Sequence, residues 1–184
     1  MFWIGSRRRR GGGLFFKMVE RFEVDLANQI DNKWTKDTIL AMKNRNFGFS
    51  VKIKSSDKKI LKKKFISELG DKSDRKHNKK VVVMIYSFLI FKLITLNKEW
   101  VKAVSVCRDY EPLFLVSKSL SKICKFYKDE PVTNYISLRF KRNKKKKSRA
   151  HRLANDVLRV RKKEDYCLTA RDLEKLEEVI RKNL

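Results

Sequence analysis

The chain has 184 residues, a formal net charge of +26 at pH 7, 42% hydrophobic and 37% charged residues. That length allows one domain or two small ones, and the apolar share excludes disorder throughout. Cys107, Cys124 and Cys167 are odd in number and far apart, which excludes a disulfide framework and fits free thiols in a reducing, cytoplasmic setting; with His77 and His151 they give no zinc spacing.

Residues 1–17, MFWIGSRRRRGGGLFFK, join an Arg run, a Gly run and apolar ends, without the continuous apolar core of a signal peptide. They read as a flexible basic arm, a membrane-surface anchor, or a stretch outside the natural protein, which would then start at Met18. From Arg21 the pattern sharpens. Phe22, Val24 and Leu26 alternate with Arg21, Glu23 and Asp25, which predicts a half-buried strand. Thr35 caps a predicted helix over 36–44. Phe47, Phe49, Val51 and Ile53 alternate with Gly48, Ser50, Lys52 and Lys54, a second strand with a basic outer face. Ser56 or Asp57 caps a helix over 58–69 that stops at Gly70. Residues 18–70 thus read as a small β-α-β-α unit.

Residues 71–80, DKSDRKHNKK, contain no apolar side chain and read as a charged linker or exposed loop. Residues 81–96 are the most apolar stretch, too short to span a bilayer and interrupted by Lys92. Their β-branched and aromatic content predicts two core strands joined near 87–89, and 100–108 a further strand, three in antiparallel succession. Leu113–Tyr127 reads as a helix with Val116, Leu120, Ile123 and Cys124 inward. Tyr135–Arg142 is another strand, with Tyr135, Arg139 and Lys141 on one side. Ser148 stands at an N-cap before Ala150, Leu153, Ala154, Val157 and Leu158, the spacing of one buried helix stripe. Tyr166–Leu168 is a short extended piece, and Thr169 with Asp172 approaches a capping box before a helix over 170–182. The fold class expected is therefore α+β: the small β-α-β-α unit, then a mixed, largely antiparallel sheet with packed helices over 81–184 (β-β-β-α-β-α-α).

In element order, residues 81–184 resemble the ribonuclease H-like fold. That resemblance implies two divalent metals, Mg²⁺ or Mn²⁺, held between carboxylates, one of them in the middle of the first strand. Here VVVMIYSF (81–88) and NYISLRFKR (134–142) carry no acid, and Asp109, Glu111 and Asp156 match no position of the pattern. The resemblance thus implies a binding version of such a fold, with no cofactor expected.

Charge carries the functional signal. Residues 141–163 hold twelve Lys or Arg against one acid, Asp156. Lys141, Arg142, Lys144, Lys145, Lys146 and Lys147 form a bare run. Arg149, Arg152, Arg159 and Lys163 then recur at helical spacing opposite the apolar stripe, rigid partners for phosphates. Arg139 extends this surface, and Tyr135 offers a face for base stacking. Asp156 reads as an ion-pair partner that orients Arg152 and Arg159, or as a metal ligand. His151 lies between the two stripes. The expected function is nucleic-acid binding, RNA ahead of DNA. The alternatives are a metal-dependent nuclease using Asp109, Glu111 and Asp156, and an assembly factor docking on an acidic protein.

Overall fold

The computed structural model describes residues 21–31, 34–66, 72–107, 109–110, 113–128, 137–141 and 148–184. Six strands form one mixed sheet: β1 (Phe22–Ala27), β2 (Thr38–Lys43), β3 (Gly48–Ile53), β4 (Ala103–Cys107), β5 (Ser137–Lys141) and β6 (Tyr166–Cys167). Among the described residues, five helices accompany them: α1 (Ser55–Phe65), α2 (Lys72–Thr95), α3 (Leu113–Phe126), α4 (Arg149–Leu158) and α5 (Ala170–Asn183). The protein is α+β, a mixed sheet with packed helices. Across the sheet the order is β5-β4-β1-β2-β3-β6. The β1–β2 and β2–β3 ladders are antiparallel, with Val24 opposite Met42 and Leu40 opposite Val51. β4 lies parallel to β1, β5 parallel to β4, and β6 parallel to β3.

Two stretches take the opposite element from the one their sequence predicts. Residues 38–43 are strand β2, not a helix. TILAMK is buried at its first five positions, so no alternation marks it, and pairing on both edges outweighs the local preference of Leu, Ala, Met and Lys for helix. Residues 81–95 are helix, not two strands. They continue from the polar 72–80, expected as a linker, into the single helix α2. Every residue from Val81 to Phe91 is buried. A helix apolar all round belongs at the centre of a core, and the eleven buried residues from Val81 to Phe91 exceed the length of an ordinary strand. Strands β1–β3 and β4–β6 therefore share one sheet, and 72–80 belongs to a helix packed on it instead of dividing the chain. Residues 1–20, with the N-terminal extension, lie outside the described residues. Among the described residues, no helix is long and apolar enough to cross a membrane.

The sheet has two unlike faces. Val24, Leu26, Leu40, Met42, Val51, Ile53, Val104 and Val106 point into the large core with α2, α3 and α5. The other face buries Ala27, Ile39 and Ala41 under α4. Where β6 covers only a section of β3, the Asp165 carboxylate accepts the Ser50 N–H at 2.9 Å and its hydroxyl at 2.8 Å.

Lys92, on the apolar helix α2, pairs with Asp172 on α5. Asp172 also closes the capping box with Thr169 and accepts the Tyr166 hydroxyl. Burial would raise its pKa, but the Lys92, Tyr166 and Thr169 hydrogen bonds together hold it at about 2. The folded-state value lies below the ordinary 3.8, so the stabilisation is present above pH 4 and is lost as pH falls through about 2. Asp172→Asn should cost about 3 kcal/mol at pH 7, because it leaves Lys92 covered without its counter-ion. Urea unfolding of both proteins between pH 2 and 7 checks this; the difference should shrink towards acid.

Candidate nucleic-acid interface

Helix α4 is built as its sequence predicts. The Ser148 hydroxyl accepts the His151 N–H at 2.9 Å, and Ala150, Leu153, Ala154 and Val157 are buried. Small residues let it lie close on the sheet. A Cβ added at Gly48 would stand 2.9 Å from Leu153 Cδ2, so a larger residue there would make that side chain shift. Arg149, Arg152, Arg159 and Lys163 are exposed, as is Arg139 on β5.

The C-terminus of α4 closes in a Schellman pattern, the Arg161 N–H donating to the Asp156 carbonyl at 2.8 Å and the Val160 N–H to the Val157 carbonyl at 3.0 Å. That turn needs a left-handed residue after the cap, usually glycine. Here Val160 fills it, with φ of 58° and 89% exposure, so a β-branched residue carries the strain with almost no compensating burial. The strained turn presents Arg159, Arg161, Lys162 and Lys163, all exposed. Arg159 also lines a groove of about 420 Å³ with Lys36 and the acid Asp37.

What seats α4 is an acid. Asp25, in the middle of β1, is only 5% exposed. Its Oδ2 accepts the Ser148 hydroxyl at 2.7 Å, its Oδ1 accepts the Leu26 N–H at 2.8 Å, and His151 Nδ1 lies 3.6 Å from Oδ1. The Arg149 N–H donates to Glu23 Oε2 at 3.0 Å. Burial, and then the neighbouring Asp25 carboxylate to which it is hydrogen-bonded, push the Cys107 thiol well above its ordinary value, so it is no nucleophile at neutral pH. The β-ladder register carries the row onward: Glu23 faces Ser105, and Ser105 faces Arg139. Arg149 thus meets Glu23 through its backbone, and Arg139 stands about 10 Å from Glu23 across two strand spacings.

The acids singled out from sequence do not gather. Asp109 follows β4, where its carboxylate lies 3.4 Å from the Tyr86 hydroxyl that donates to it. Asp156 is half-buried on α4, and its carbonyl serves the helix end. Glu111 lies outside the described residues, as do Tyr135, Arg142 and Lys144–Lys147; Lys141 ends β5, paired with Cys107. Among the described residues no group of three or more His, Cys, Asp or Glu side chains is placed to hold a metal ion. Sequence reasoning missed the roles of Asp25 and Ser148 as a pair. The readable trace was Ala27 beside Asp25, a small residue on a strand face otherwise assigned to charge.

Compared with known proteins, the chain matches no family model, no curated protein and no solved structure.

Val160→Gly should stabilise the protein by about 1 kcal/mol by relieving the left-handed strain. Ser148→Ala should destabilise it by about 1–2 kcal/mol, losing the cap and leaving Asp25 short of a donor. Thermal unfolding of the two variants reads both signs.

Proposed function

We propose that this chain is a nucleic-acid-binding protein, RNA ahead of DNA, that acts through the cationic face of α4 and the Lys-rich run before it. The observation that carries the reading is the two-sided character of α4. Its apolar stripe is buried on the sheet, while Arg149, Arg152, Arg159 and Lys163 stay exposed, with Arg139 alongside on β5. Guanidinium groups fixed on a seated helix lose little freedom when they meet phosphates, and a net charge of +26 favours release of counter-ions from a polyanion. Phosphate contacts of this kind position a strand without reading its sequence. The preference for RNA rests on the aromatic Tyr135 beside the Lys-rich run, which suits irregular single strands.

Fluorescence anisotropy with labelled single-stranded RNA, duplex RNA and duplex DNA across a salt series tests it. Replacing Arg149, Arg152 and Arg159 by Gln should reduce the slope of log K against log salt by about 2 to 3, the sum of three lost contacts. An unchanged slope defeats the reading. Nuclease treatment before purification separates it from docking on an acidic protein, which would survive that treatment.

One observation favours a second reading, a metal-dependent nuclease of ribonuclease H-like fold. From β1 to α4 the described elements run β-β-β-α-α-β-α-β-α, and Asp25 is an acid in the middle of that first strand. Against it, both Asp25 oxygens are already engaged by the chain's own donors. Cleavage of RNA or DNA in Mg²⁺ or Mn²⁺ that Asp25→Asn abolishes would establish it; intact substrates after incubation with the full chain remove it.

A further inference from the structure

A separate concavity opens at the carboxyl ends of β1 and β4, which are parallel neighbours. It has a volume of about 610 Å³, enough for a nucleotide. Crevices outside the carboxyl ends of adjacent parallel strands are where such sheets collect ligands.

Its lining is chemically divided. Arg75 and Lys79, exposed and four residues apart in the early turns of α2, make a cationic wall. Asp31, after β1, and Asp109, after β4, make an anionic floor. Trp34 supplies a flat aromatic side, half-buried against the core. Asp31 is held in place from behind. Its Oδ1 accepts the Tyr110 hydroxyl at 3.2 Å, and that hydroxyl accepts the Ile30 N–H at 2.6 Å. Burial and the Asp31 charge push the Tyr110 phenol well above its ordinary value, so it remains a donor, and Asp31 keeps Oδ2 as an acceptor.

Cations at one side, carboxylates at another and an indole between suit a ligand with a phosphate, a flat ring and an edge of hydrogen-bond donors. We propose that this cleft binds a nucleotide, with its phosphate on Arg75 and Lys79, its base against Trp34 and its donor edge on Asp31. The nucleotide is either free or unstacked from a bound strand; the strand-borne case rests on the nucleic-acid reading above. Guanine is preferred, because its N1–H and N2–H₂ offer two adjacent donors to one carboxylate. Adenine and cytosine offer one amino group each, and uracil a single imide N–H. The site would add base contact to an interface that otherwise meets only backbone charge.

Calorimetric titration of the full chain with GMP, AMP, CMP and UMP tests it, beside anisotropy of single-stranded RNAs that differ only in a terminal G or A. GMP should bind about tenfold more tightly than the others. Arg75→Gln with Lys79→Gln, both at exposed positions, should weaken GMP binding about tenfold. Asp31→Asn should erase the preference for GMP while leaving AMP binding close to unchanged. The Gln variant of Arg149, Arg152 and Arg159 should weaken RNA and leave GMP untouched. Preference for a terminal G that the Arg75/Lys79 variant loses, without binding of free GMP, assigns the cleft to strand-borne nucleotides. If no mononucleotide binds and that variant leaves end preference unaltered, the cleft proposal is overturned and the charge-based reading stands. If GMP binds and RNA does not, the charge-based reading fails and the cleft remains.

Discussion

A carboxylate removed from water on the central strand governs where the basic helix lies. Burying an anion is costly unless donors surround it. Asp25 finds them in its own strand and at the N-terminus of α4, where the Ser148 hydroxyl, itself a helix cap, reaches it. The positive end of the helix dipole adds to the same interaction. If α4 slid or rotated, Asp25 would lose the Ser148 hydroxyl and Leu153 would lose its close seat over Gly48. The direction in which the arginines face is therefore set from beneath.

The two sides of the sheet are held by different physics. Beneath it, α2 contributes a nearly continuous apolar surface over 81–95 with α3 and α5 around it, and Lys92 within that stretch is neutralised by Asp172. Above it, small side chains and buried polar groups allow one short helix to sit close. The first side supplies most of the hydrophobic stabilisation. The second supplies position.

Amphipathic elements were legible in the sequence. α3, α4 and α5 carry a stripe at helical spacing, and Ser148 and the Thr169–Asp172 pair mark the starts of the last two, so the structure follows them closely. β2 and α2 were not. Both are buried on nearly every side, and an element without a polar face has no period to read. Val, Ile and Phe in α2 locally favour strand, and only the surrounding core decides for helix. The same distinction applies to the candidate interface. Exposed cations at helical spacing could be read directly. Asp25 could not, since alternation in FEVDLA assigns it to solvent, and only α4, arriving more than a hundred residues later, covers it.

The margin of the sheet beyond β3 has a consequence for how this protein behaves at high concentration. A strand with open amide groups is a template on which another chain can polymerise. Here β6 shields two positions, and the Asp165 carboxylate occupies the next amide, that of Ser50, with a negative charge that an incoming backbone carbonyl would meet unfavourably. Intermolecular sheet growth from β3 is thus opposed at this border by a two-residue strand and one carboxylate, so crowded copies of the chain meet a charge there instead of a row of open amides.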